Sequence, residues 1–184
     1  LAGLGIAAAC LGSTVQAAPL QGRAVQIASA GTPGQPSVAV DPSEGFIVTW
    51  QDRDGENATL RYAVISKQGV ETRRGDIASG AGWFVNWADF PSLVVLDNGD
   101  WVTHWLTRSA VGGASYDIRL VRSRDRGRSW SAPISPHLDG TATQHGFVSL
   151  VPAVGDRVLV IWLDGRHGAN ATAGGGHDEH DAPM

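Results

Sequence analysis

Three arginines recur just after three tryptophans: Arg53 follows Trp50, Arg108 follows Trp105 and Arg166 follows Trp162. A guanidinium is a planar fork of donors that grips a carboxylate through two parallel hydrogen bonds. Arginines gathered in one place would hold an anionic group. Carboxylates accompany them: Asp54 next to Arg53, Asp89 in "NWADF" and Asp164 in "LDGRHG". Beside a bound sugar such groups could do acid–base work. Trp87 offers a flat face for stacking on a sugar ring, and His145 in "TQHGF" joins the same set of loops. Asp54, Asp89 and Asp164 are therefore the positional catalytic candidates. Arg53, Arg108, Arg166, Trp87 and His145 are the candidate contacts to a carbohydrate ligand. The competing reading is that these charges pair with one another and tie neighbouring elements together.

A second constellation, "HDEHD" at 177–181, holds ligand types for zinc or another transition metal. The preceding "GANATAGGG" reads as a loop, which does not preorganise a site. A solvated acidic loop is the expectation, with no metal or cofactor and with His177 and His180 as the alternative ligands. His104, beside Trp105, is expected to be packed or hydrogen-bonded.

The elements that must position these residues come from a repeat. "PSVAVDPSEGFIVTW" at 36–50, "PSLVVLDNGDWVTHW" at 91–105 and "VSLVPAVGDRVLVIW" at 148–162 align without gaps over their core. Ser37, Ser92 and Ser149 each precede the tryptophan by 13 residues, and the units are spaced by 55 and then 57 residues. Each unit reads as a hairpin of two apolar runs around a turn rich in Gly, Asp, Asn or Pro. Third strands are predicted at 60–66 and 118–123, and weaker fourth strands at 76–79 and 133–136. "QIAS" at 26–29 looks like another fourth strand. No useful stretch has an apolar period of 3.6, so almost no helix is expected. Four short strands per unit at this period describe blades of an all-β propeller, of which two and a half to three are present. The blades are expected at about 31–79, 86–136 and, incomplete, 143–184.

Composition agrees with a folded domain: 184 residues, 42% hydrophobic and 17% charged, with 24 glycines and 7 tryptophans. A net charge of −4 argues against a general nucleic-acid binder. The single cysteine, Cys10, excludes an internal disulfide. Residues 1–18 are small and apolar and read as an export signal, with cleavage before Ala18 or a lipid anchor on Cys10. Residues 19–184 form the propeller portion, and the protein is expected outside the cytoplasm. No later segment is long and apolar enough to span a membrane.

"SRDRGRSW" at 123–130 follows the third strand of the second unit. Asp125 can accept backbone N–H groups, Gly127 allows a conformation that a Cβ would oppose, and Trp130 can pack back on the sheet. Ser123, Asp125, Gly127, Ser129 and Trp130 match S-x-D-x-G-x-S-W, which resembles the Asp-box, or BNR repeat, of sialidases and related six-bladed propellers. The resemblance implies a structural turn on the face away from the active site, a sialidase-like glycoside hydrolase activity on acidic glycans, and no cofactor. The sequence departs from that family in lacking the early F/Y-R-I-P motif, where "QPSVAV" stands. Its two tyrosines, Tyr62 and Tyr116, both lie in predicted third strands. A propeller that binds glycans or proteins without catalysis is the alternative. In either case the hairpin turns at 41–45, 96–100 and 153–156 should share a face with the box, and the candidate site should lie on the other face.

Overall fold

The computed structural model describes residues 21–109 and 114–167. Apolar alternation produces strands throughout: β1 (Thr32–Asp41), β2 (Gly45–Asp54), β3 (Asn57–Ile65), β4 (Glu71–Ala81), β5 (Leu93–Val95), β6 (Trp101–Arg108), β7 (Tyr116–Ser123), β8 (His145–Pro152) and β9 (Val158–Asp164). A single 3₁₀ turn, Gly165–His167, is the only helical piece among the described residues. The strands make three antiparallel sheets of four, three and two strands, in the orders β1-β2-β3-β4, β5-β6-β7 and β8-β9.

The repeat seen in the sequence is a repeat of register. Val38 pairs with Val48, Leu93 with Thr103 and Leu150 with Val160. Trp50, Trp105 and Trp162 therefore hold equivalent positions in successive hairpins. The first and third hairpins also share a bulge, between Gly34 and Ser37 and between Gly146 and Ser149. Its middle residues, Gln35 and Phe147, both have positive φ, 50° and 54°. A bulge bends the strand without ending it. Residues 32–36, ahead of the first apolar run, accordingly belong to β1, and the edge position tolerates Pro33 and Pro36.

Two predicted strands need correction. Residues 26–29 make no ladder. That segment is held by side chains instead: Arg74 donates to the Ala28 carbonyl at 2.9 Å, and Ser29 bonds Asp52. Ile27 packs over Trp50, Ala63 and Ile65. Residues 133–136 shrink to one bridge, Leu120 with Ile134, because Pro133 and Pro136 remove ladder donors.

The sheets stack through their apolar faces. Ile47, Leu60, Tyr62 and Val64 of the first meet Leu93, Trp101, Trp105 and Val121 of the second. The opposite face of the second, with Val102, Leu106, Ile118 and Leu120, meets Val148 and Leu150 of the third. Strand alternation makes this possible, since neighbouring residues point to opposite faces.

The stretch 123–130 closes the first of these contacts. Ser123 Oγ donates to Asp125 at 2.8 Å and accepts the Gly127 N–H at 2.7 Å. Asp125 also accepts the N–H and the hydroxyl of Ser129, at 2.8 and 2.5 Å. The turn leans on the first sheet: Tyr62 donates to the Gly127 carbonyl at 3.1 Å and Arg73 to the Arg126 carbonyl at 2.7 Å. Arg126 also lies 3.8 Å from Glu44, so the box and the 41–45 turn share one face as expected.

The Ser129 hydroxyl, then the Ser129 N–H and Ser123, hold the Asp125 carboxyl down to about 2 from 3.8. A depressed carboxylate contributes stability above its unfolded value and loses it as pH falls through the folded one. The melting-temperature advantage of the wild type over Asp125→Asn should thus shrink between about pH 4 and about pH 2. An advantage independent of pH across that window would show that charge plays no part in the turn.

Candidate functional site

On the face away from the box, the ends of β2 and β6 bring Arg53 and Arg108 to one cleft of about 700 Å³. Asn57, Trp83, Val85 and Ser109 also line it. Trp83 is held by stacking on Trp105, with centroids 5.1 Å apart. The Arg108 guanidinium lies 5.3 Å over the Phe84 ring, which helps to orient it. Two arginines one repeat apart in sequence thus reach the same cleft from successive sheets.

Arg166 goes elsewhere. Its guanidinium pairs with Asp164 at 2.8 Å and Asp139 at 3.0 Å. Here the ion-pair reading describes the geometry. Burial alone would raise the Asp164 carboxyl, but hydrogen bonds from Arg166 and Trp162 hold it below the usual range.

The three catalytic candidates lie apart. Asp54 is exposed at the β2–β3 hairpin tip, outside the cleft lining. Asp89 is 5% exposed, and its carboxylate accepts the Phe147 N–H at 2.8 Å. Burial pushes the Asp89 carboxyl up, and the Phe147 and Val148 N–H groups only partly offset this. Burial, with Asp89 adding to it, likewise pushes up the Tyr116 phenol. Asp89 lines a second cleft, of about 480 Å³, with Ser92, Phe147 and Ser149. Trp87 is 87% exposed and lines neither cleft.

His145 opens β8 and is 0% exposed. It sits in a cluster that the sequence reading found only in part. Its ring stacks on His137 with centroids 3.7 Å apart. Asp117, Asp139 and Asp164 surround the pair, and two triads, Asp117–His137–His145 and Asp139–His145–Asp164, bring candidate ligand atoms within 4.8 Å of one another. Burial, then the nearby His145, holds His137 below its usual value. Asp117, His137 and Asp139 escaped the sequence reading because they lie outside the repeated hairpins. The short spacing of "PHLDG" was the available signal. His104 is buried and pushed down to about 4 by desolvation, which fits the packed role expected of it. Cys10, His177 and His180 lie outside the described residues.

The fold and these sites define a class: an all-β protein of stacked antiparallel sheets with a polar, arginine-bearing face. Comparison with known proteins finds no matching family model and no matching curated relative. No helix among the described residues is long and apolar enough to cross a membrane.

Proposed function

We propose that the three sheets are successive blades of an exported Asp-box propeller whose Arg53–Arg108 cleft binds an anionic carbohydrate. The blade reading is supported by the shared register, the recurring bulge and the closed hydrogen-bond network of residues 123–130. The binding reading is carried by one observation: guanidinium groups from two successive sheets line a single cleft beside an indole and an amide. A carboxylate-bearing sugar offers each of those groups a partner. Asp54, Asp89 and Asp164 do not line that cleft, and Glu56 is the carboxylate that does; a single carboxylate there, without the pair that glycoside hydrolysis uses, favours binding.

Arg53→Ala and Arg108→Ala should each weaken a sugar acid about 10-fold, the size of one lost charged hydrogen bond. A neutral sugar of the same ring should be bound equally by wild type and variants. Calorimetric titration with the pair of ligands checks this, and equal loss for both would end the carboxylate reading.

Hydrolysis of acidic glycans is the second reading, and Asp89 favours it. A carboxyl whose burial raises its hold on a proton, next to the Tyr116 phenol, has the character of a general acid. Turnover of a fluorogenic sialoside that Asp89→Asn abolishes would move the function from binding to catalysis.

A further inference from the structure

We propose that His145 Nε2, Asp139 Oδ2 and Asp164 Oδ2 form a binding site for a divalent metal ion of the zinc class. The starting point is a proton inventory of a fully buried ring. His145 Nδ1 lies 3.3 Å from the Tyr116 carbonyl oxygen, which can only accept. A neutral ring has one N–H for two nitrogens that both face acceptors, and with that proton on Nδ1 the Nε2 lone pair points the other way. It faces Asp139 Oδ2 at 3.1 Å and Asp164 Oδ2 at 3.9 Å. A lone pair against carboxylate oxygens is repulsive, and either a proton on Nε2 or a metal ion held between the groups relieves it. A metal-bound histidine usually donates its other ring N–H to a carbonyl or carboxylate, and the Tyr116 carbonyl is placed for that at Nδ1.

The spacing suits such an ion. Donors about 2.0–2.2 Å from a tetrahedral zinc are about 3.3 Å from one another, and 3.1 and 3.9 Å bracket that value. The two ligating carboxylate oxygens and the ring are fixed by their neighbours. Thr141 Oγ1 donates to Asp139 at 3.1 Å, Trp162 Nε1 donates to Asp164 at 3.3 Å, and the His137 ring stacks on His145. His137 Nε2 accepts the Ile118 N–H at 3.2 Å, so that nitrogen is engaged and His137 is a positioning residue. One imidazole with two carboxylates is a mixed donor set that suits zinc better than calcium, which prefers oxygen alone. Arg166 already bridges both carboxylates, but its side chain is 44% exposed and can swing into water. It is the built-in competitor for the site.

The competing occupant is a proton on Nε2, and the experiment separates the two. The chain carrying His177→Ala and His180→Ala, which removes the imidazole ligands of 177–181, is titrated with Zn²⁺ by calorimetry at neutral pH and melted with and without the ion. One equivalent should bind and raise the melting temperature. Asp139→Asn and Asp164→Asn should each weaken binding at least about 10-fold, and Arg166→Ala should tighten it by removing the competing cation. Arg166→Ala deletes no ligand and keeps the test open should the ligand variants fail to fold. No stoichiometric binding, binding indifferent to Asp139→Asn and Asp164→Asn, or binding weakened by Arg166→Ala would each overturn the site. So would a nitrogen-detected spectrum in which His145 keeps both ring protons at saturating zinc.

Discussion

Trp101→Ala should be the most damaging single substitution in the chain. The indole is 0% exposed and stands edge-on to Tyr62 of the neighbouring sheet, with centroids 5.5 Å apart. Its Nε1–H donates across the same interface to Asp41 Oδ2 at 3.1 Å, and the Arg73 guanidinium lies 5.6 Å over its ring. Emptying such a position costs about 3–5 kcal/mol through lost transfer energy and the cavity left behind. Loss of the donor also leaves a buried carboxylate oxygen short of a partner, for about 1–3 kcal/mol more. Against a total stability of about 5–15 kcal/mol, this removes much of the folded population. Urea denaturation should show a sharply lowered midpoint. Trp87→Ala, which strips an indole from open solvent, should leave the midpoint in place. Equal effects from the two would mean that the first two sheets do not pack through Trp101.

Gly127→Ala should come next, although it adds one methyl group. The backbone there has φ of +87°, which side chains oppose, and an added Cβ would lie 2.7 Å from the Trp101 ring and 2.9 Å from Tyr62. Neither aromatic can retreat, because each is fixed by the other and by its own hydrogen bond. Forced overpacking of this kind costs about 1–3 kcal/mol, and the strained backbone adds to it. The loss should appear in thermal melts and leave the proposed anion binding at the Arg53–Arg108 cleft unchanged once the folded fraction is accounted for. Gly155→Ala is the matched control. Its φ is +79° but nothing lies within 4 Å of its added Cβ, so it reports backbone strain alone. If the two variants melt together, the turn at 123–130 does not press on the first sheet.

The two substitutions concern the same joint between sheets, and that joint was half legible. Ser123, Asp125, Gly127, Ser129 and Trp130 are close in sequence, so a turn motif could be read from their types and offsets. Tyr62 is 65 residues from Gly127, and nothing in either neighbourhood names the other. The candidate site divides in the same way. Arg53 and Arg108 could be paired from sequence because the repeat puts them at equivalent strand ends. Arg166 follows its tryptophan by one residue more, and it turns to Asp139 and Asp164 instead. Trp87, read as a stacking platform, stands in solvent because the 86–90 loop turns on its own Asn86–Ala88 bond and carries the indole outward.

The amino-acid order by itself determined what depends on short range: strand after strand from alternation, hairpins from their turn residues, a common register from a 13-residue spacing, and a box from five residues. Those features follow from backbone geometry and local hydrogen bonding, which neighbouring residues dictate. Tertiary structure alone decided which charges meet. It buried His145 among three carboxylates, drew Arg166 onto two of them, and left Arg53 and Arg108 on a shared cleft. Side-chain meetings across stacked sheets depend on how far each strand runs and where each bulge bends it. No local pattern encodes distances between residues that the chain brings together only after folding.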